Sequence, residues 1–363
     1  MRLLCSLCKR EYAADTFAWR CDCGGVFELV EAAPFDVTAL RRADRTLWRY
    51  RSMLPPVDEA RVTSLGEGGT PLVDARLSGV GVLCKLEFLA PSGSFKDRGS
   101  AVLVSALRQM GITDVVEDSS GNAAASLAAY CARAGIHARI FAPAHTSQAK
   151  LKQISVYGAE LVEVEGPREN AALAAQEAAA EGVYYASHNY NPLFLEGTKT
   201  YAYELWEQLG RAPDNLIIPV GSGGLLLGAY RGFRDLRQAG LIAELPRLYA
   251  VQARACAPLF EAFQLGLEDA PPVAPGVTAA EGIRIARPVR GRQVLRAIRE
   301  TGGAVIAVEE QEIQEARDLL ARQGLYVEPS SAAAAAALRH LASRIGLEDR
   351  TALALTGSGL KSG

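Results

Sequence analysis

Four short segments place a chemically able side chain among glycines and serines. The first is Pro91-Ser92-Gly93-Ser94-Phe95-Lys96-Asp97-Arg98-Gly99, where a lysine starts a helix after a serine/glycine turn. A helix N-terminus disfavours a cation, because its free N–H groups and dipole are positive. Lys96 is therefore easier to deprotonate there and, as the free amine, can attack an aldehyde. A surface lysine paired with Asp97 is the plainer alternative. The second segment, Ser119-Ser120-Gly121-Asn122, offers hydroxyls, an amide and helix N–H groups that suit a carboxylate. Asn122 could reach a ring hydroxyl, although serine and asparagine are also ordinary helix caps.

The third segment is Gly221-Ser222-Gly223-Gly224-Leu225, after the apolar run Leu216–Val220. Backbone N–H groups exposed by such small residues can cradle a phosphate. The Lys-Ser/Thr ending of a nucleoside-triphosphate loop is absent, and Leu226 breaks the G-x-G-x-x-G spacing of a dinucleotide loop. The choice is between a phosphate that is neither ATP nor NAD and a tight strand-to-helix turn. The fourth segment is Leu355-Thr356-Gly357-Ser358-Gly359-Leu360-Lys361. The Thr356 hydroxyl, at the end of a buried strand, can hydrogen-bond a pyridine nitrogen without protonating it, which leaves a weaker electron sink than a carboxylate partner would. A glycine-rich tail that merely turns is the alternative. A lysine for an aldehyde, a phosphate cup, an asparagine for a ring hydroxyl and a ring-nitrogen partner together describe pyridoxal phosphate.

A fifth group is metal-like. Cys5-x2-Cys8 and Cys21-x-Cys23 lie twelve residues apart in a stretch too poor in apolar residues to build a core. Four thiolates around a structural Zn²⁺ would replace that core, and the following Gly24 and Gly25 would let backbone N–H groups approach the sulfurs. A metal-free or disulfide-linked ribbon is the other reading.

The elements that must position these groups alternate. Strands are expected at Val80–Glu87, Asp114–Glu117, His137–Ala142, Glu160–Val164, Leu216–Val220, Arg247–Gln252, Ala304–Val308 and Thr351–Leu355. Helices are expected at Thr46–Leu54, Phe95–Met110, Ala123–Ala134, Leu195–Leu209 and Ser330–Ile345, among others. Short apolar strands separated by helices define an α/β chain with parallel sheets covered on both faces.

The segments GEGGTPL (66–72), PSGSFKDRG (91–99), SSGNAAASLAAYCARAG (119–135), NPLFLEGTKT (191–200), PVGSGGLL (219–226), YVEPSSAAA (326–334) and LTGSGLK (355–361) resemble those of fold-type II pyridoxal-phosphate enzymes. Within that superfamily they resemble the threonine synthases, some of which carry a cysteine-rich N-terminal ribbon. The resemblance implies two open, mainly parallel sheet domains. A ribbon-like module at 1–27 would precede a large cofactor-binding domain of 28–90 and 191–363, and 91–190 would form a small, mobile substrate-gripping domain. Lys96 would hold the cofactor and shuttle protons. Phe95 would pack beside its ring, Asn122 contact its 3′-hydroxyl, Thr356 face its ring nitrogen, and Gly221, Ser222, Gly223, Gly224 and Leu225 hold its phosphate. Ser119, Ser120 and Gly121 would grip the substrate carboxylate. Lys150, His188 and Asn189 are candidates for the substrate's phosphate side, with Arg98, Arg284 and Arg287 as further cations. His188 stands where the resemblance expects asparagine. The implied reaction converts O-phospho-L-homoserine and water to L-threonine and phosphate. Neighbouring activities are O-phosphoserine sulfhydrylase, cysteate synthase and serine/threonine deaminase. An inactive paralogue that binds a partner through its ribbon is the non-enzyme alternative.

Composition bounds the remainder. The 363 residues suffice for about two domains. With 49% apolar residues and a formal charge of −2, neither wholesale disorder nor a polybasic nucleic-acid binder is expected. No apolar run is long enough to span a membrane, and the N-terminus lacks the pattern of a secretory signal. A cytoplasmic homodimer acting on a small phosphorylated amino acid, with no nucleic-acid or membrane partner, is the expectation.

Overall fold

Apolar strands that alternate with amphipathic helices bury both faces only when helices cover each side of a parallel sheet. The computed structural model of the chain, which describes residues 1–30, 33–144, 146, 148–166, 168–346 and 348–361 and omits the side chains of 148–150, has this arrangement twice. In chain order the strands are β1 (Arg2–Cys5), β2 (Glu11–Ala13), β3 (Phe27–Val30), β4 (Leu72–Leu77), β5 (Val80–Lys85), β6 (Asp114–Glu117), β7 (His137–Pro143), β8 (Glu160–Val164), β9 (Tyr184–Tyr185), β10 (Asn215–Pro219), β11 (Arg247–Ala253), β12 (Ala304–Val308) and β13 (Thr351–Ala354). The α-helices are α1 (Lys96–Gln109), α2 (Asn122–Ala134), α3 (Gln148–Val156), α4 (Arg168–Ala180), α5 (Pro192–Thr198), α6 (Thr200–Leu209), α7 (Gly224–Gln238), α8 (Pro258–Gln264), α9 (Gly291–Glu300), α10 (Glu310–Ala321), α11 (Pro329–Ala336) and α12 (Leu338–Leu341).

The chain divides into two compact units, Met1–Gly68 with Lys96–Thr198, and Gly69–Phe95 with Lys199–Gly363. The first holds a three-stranded antiparallel sheet, β2-β1-β3, and a parallel sheet ordered β8-β7-β6-β9. Side chains alternate across that parallel sheet with period two. Val115, Ala138 and Ile140 join the core under α1 and α2, whereas Val116 and Phe141 pack with Ala171, Ala175 and Ala178 of α4. The second unit holds a six-stranded sheet ordered β12-β11-β10-β13-β5-β4, parallel except for the β4–β5 pair.

This division differs from the expected domain boundaries, because residues 28–68 and the ribbon cluster with the unit that carries β6–β9. Three helix expectations also change. The segment 195–209 breaks at Lys199, where the chain passes from one unit to the other. The segment 330–345 is two short helices, and 47–53 is a 3₁₀ stretch kinked at Tyr50. Among the described residues no helix is long and apolar enough to cross a membrane.

Candidate active site

Ligand sites in open α/β sheets form beyond the carboxyl ends of parallel strands, where turns expose backbone donors. In the first unit β6 and β9 are parallel neighbours, paired Val115 to Tyr184 and Val116 to Tyr185. Their carboxyl ends therefore deliver Glu117 to Gly121 and Ser187 to Asn189 to one edge of the sheet. Ser119 Oγ accepts the Gly121 N–H at 3.3 Å, and Gly121 caps α2 with no side-chain hydrogen bond. A Cβ added at Gly121 would meet no atom within 4 Å, so the turn opens into free space. Ser120 and Asn122 are half-buried on either side.

Lys96 opens α1, as the sequence predicts, and its Nζ lies 5.8 Å from the centroid of the Phe194 ring. The His188 ring meets the same phenyl edge-on, with centroids 5.9 Å apart. Two glycines make room for this arrangement. A Cβ at Gly99 would fall 2.4 Å from Phe194 Cε2, and one at Gly197 would fall 2.0 Å from the Arg98 carbonyl oxygen. Hence α1 and α5 can cross closely only with glycine at both positions. Asn189 follows His188 on the same half-buried turn. The side chain of Lys150 lies outside the described residues. Arg98 is fully buried in α1, while Arg284 and Arg287 are exposed in the other unit.

His188 Nδ1 lies 2.6 Å from Glu117 Oε1, and their side chains are 10% and 1% exposed. Burial, and then the charges of Lys96 and Arg168, hold the imidazole well below its usual range. Burial, reinforced by Asp118, pushes the Glu117 carboxyl well above the usual carboxylate range against the pull of Lys96. The sequence reading missed Glu117. Its only signal is a carboxylate ending an otherwise apolar strand two residues before the serine turn.

In the second unit β10 and β13 are parallel neighbours, so Gly221–Leu225 and Thr356 leave the same edge of the sheet. Gly223, at φ +89°, caps the fifteen-residue helix α7 without any side-chain hydrogen bond. A Cβ at Gly223 would meet Val294 Cγ2 at 2.3 Å, and one at Gly221 would meet Ile285 Cγ1 at 2.8 Å. Packing thus demands these glycines on one side, while the helix start presents donors to an anion. Phe95 donates its N–H to the Thr356 carbonyl at 3.0 Å, which brings these two predicted residues together. Thr356 is buried, and its Oγ1 lies 2.9 Å from Ser331 Oγ. The role of Ser331 was not foreseen, although it lies in one of the matching segments. Each unit by itself offers groups that suit pyridoxal phosphate: the first the Lys96 amine, the second a glycine-rich helix start and a neutral hydroxyl.

The sulfurs of Cys5, Cys8, Cys21 and Cys23 all lie within 4.8 Å of one another and form no disulfide. Thiolates around Zn²⁺ at ~2.3 Å would sit about 3.8 Å apart, so the cluster suits that ion. Gly25 is needed here, because a Cβ would lie 2.4 Å from Cys5 Sγ. The N–H that reaches Cys5 Sγ comes from Leu7, at 3.4 Å, and not from the glycines.

The fold and this donor set define the class, and the chain belongs to the pyridoxal-phosphate dependent enzyme family, whose model matches residues 63–357. Within that class it groups with the threonine synthases. It is 37% identical over 372 aligned positions to the threonine synthase of Methanocaldococcus jannaschii, covering 98% of this chain and 92% of that one. It is 34% identical to the threonine synthase of Methanosarcina acetivorans, over 99% and 92% of the two chains. Among solved structures, maize serine racemase superposes with a TM-score of 0.72 at 22% identity, covering 91% of this chain and 94% of that one, which is a likeness of fold.

Proposed function

We propose that the chain converts O-phospho-L-homoserine and water to L-threonine and phosphate. The observation that carries this reading is the full-length similarity to proteins named threonine synthase. The cofactor, when bound, supplies the electron sink that acidifies hydrogens near the substrate's amino group. Lys96 would hold it through Nζ and, once freed, move protons as the amine. The N–H groups of Gly221 to Leu225 would hold its phosphate, and Asn122 its 3′-hydroxyl. Phe95 would lie beside its ring. Thr356 would partner its ring nitrogen, and a neutral hydroxyl there leaves that nitrogen unprotonated.

The turn Ser119-Ser120-Gly121 would bind the substrate carboxylate through backbone donors. His188, Asn189 and Lys150 would serve the phosphate side. Cys5, Cys8, Cys21 and Cys23 would hold a structural Zn²⁺. The family resemblance supports a cytoplasmic homodimer, which light scattering on the purified protein tests.

The deciding experiment pairs an absorbance spectrum with product assays. Yellow protein that releases phosphate and forms threonine from O-phospho-L-homoserine, and leaves O-phospho-L-serine untouched, is the expected result. Phosphate release from the serine ester, with cysteine or cysteate formed on adding sulfide or sulfite, would overturn it.

A further inference from the structure

Glu117 is buried at the substrate edge of the first unit, yet the reaction as read gives it no task. Its Oε1 engages His188 Nδ1 at 2.6 Å, and its Oε2 has no hydrogen-bond partner. A carboxylate there would leave a charged oxygen buried and unpaired. A carboxylic acid donating through Oε1 leaves only a neutral carbonyl oxygen, a much smaller cost. One proton between Oε1 and Nδ1 makes the pair neutral, whichever atom holds it. In both cases the ring's other hydrogen sits on Nε2, which has no hydrogen bond to any described residue.

We propose that Glu117 is a positioning residue: by engaging Nδ1 it holds the His188 ring so that Nε2–H is a standing donor for an anionic oxygen of the substrate. The inference rests on reading this site as one for a phosphorylated amino acid. A lone imidazole can present Nε2 as either a donor or a lone pair, and a lone pair would repel an anion. A carboxylic acid donating to the opposite nitrogen removes that choice, because Nδ1 is then the acceptor and the ring hydrogen must sit on Nε2. The charged and titratable groups that act on the pair come from several neighbouring elements. They are Lys96 of α1, Asp118 beyond β6, Arg168 opening α4, and Tyr185 of β9, whose hydroxyl donates to Asp118 at 2.7 Å. The donor is lost only if the pair gives up its shared proton; burial and the neighbouring Asp118 oppose that loss against the pull of the two cations, so the donor persists as the pH rises.

The test begins with ¹⁵N-histidine-labelled holoenzyme. The chain has four histidines, and His188→Asn assigns the resonance. Nε2 is expected to stay protonated from about pH 6 to 9, and an unprotonated Nε2 overturns the proposal. Glu117→Leu is expected to raise KM for O-phospho-L-homoserine about tenfold, the loss of roughly one hydrogen bond to a charged group. Glu117→Gln can still donate an amide hydrogen to Nδ1 and is expected to restore KM. A glutamine variant as impaired as the leucine one overturns the idea, and it also serves if Glu117→Leu fails to fold.

Competition separates the two possible anions. Weaker inhibition of Glu117→Leu by inorganic phosphate assigns the donor to the phosphate, and weaker inhibition by L-norvaline assigns it to the carboxylate. If neither changes, the proposal falls. Should the wild type not turn over the homoserine ester, the reaction assignment fails separately, and the nitrogen spectrum still decides the tautomer.

Discussion

Ser331 Oγ accepts the buried Gly357 N–H at 2.7 Å and has one hydrogen left to give. Two acceptors compete for it, Thr356 Oγ1 at 2.9 Å and the Gly357 carbonyl oxygen at 3.1 Å; given to Thr356, it turns the threonine's own hydrogen outward, as a partner for a ring nitrogen requires. Ser331→Ala strands the Gly357 N–H and is expected to lower unfolding free energy by about 1–3 kcal/mol. It should also weaken pyridoxal-phosphate binding, read by titrating the apoenzyme at the cofactor's absorbance band. Glu117 gives a second prediction at this scale. Its folded pKa is raised, so the native state holds an extra proton above the unfolded value of about 4.3, and this group's contribution to stability falls as pH rises through its folded pKa. His188, depressed, has the opposite slope, and that slope ends near pH 6.5. Glu117→Gln removes the falling limb. Its urea midpoint should gain on the wild type between about pH 5 and 8, whereas a constant difference would mean that Glu117 titrates normally. The sequence names Lys96, Asn122 and Thr356 because a type and a turn suffice to suggest their chemistry. It hides Glu117 and Ser331 because their roles depend on which neighbour a strand edge or a helix brings to them.

Strands and helices are legible in the sequence where a short apolar run ends in glycine, as at Leu216–Val220. They are less so where packing decides. Nothing local at Lys199 marks a helix break, yet its buried side chain lies 3.5 Å from Asp235 of α7. In the stretch 46–67 the sequence suggests only the helix Thr46–Leu54, but Glu67 accepts Trp48 Nε1–H at 2.9 Å and the Tyr130 hydroxyl at 2.8 Å, which ties that stretch to α2. The α1–α5 crossing is the element contact that most directly shapes the site. Gly99→Ala pushes a methyl into the Phe194 ring that Lys96 and His188 both approach. Overpacking of this kind costs roughly 1–3 kcal/mol. The variant is expected to melt lower and to show a displaced His188 resonance, and an unchanged resonance would show that the helices can part without disturbing the ring.

At the scale of the whole chain, neither unit is one continuous segment, and the N-terminal ribbon belongs to the first of them. The ribbon's own buried cluster is small, Leu3, Cys5, Cys21 and Phe27, with Tyr12 and Leu29 against it, so a metal held by the four cysteines would supply most of its stability. Its outer aromatics do not point idly away. Trp19 meets Tyr190 at 4.7 Å and Tyr185 at 5.4 Å between ring centroids, and Phe17 meets Tyr184 at 5.6 Å. Tyr185 in turn donates to Asp118, the residue before the Ser119 turn, and Asn191 Nδ2 donates to the Tyr184 hydroxyl at 2.9 Å. The ribbon therefore braces β9, the strand that leads into the His188 turn. If Zn²⁺ fills the cluster, a strong chelator should loosen β1 to β3, release Trp19 from its two tyrosines and shift its fluorescence to the red. Trp19→Phe isolates that signal from Trp48 and Trp206. The same treatment should raise KM for the phosphorylated substrate, because the turn and His188 lose their support, while Lys96 keeps its cofactor and the yellow band persists. Cys8→Ser should reproduce the effect without chelator. A chelated protein whose Trp19 emission and KM both stay put would mean that the ribbon holds its form without metal and braces nothing.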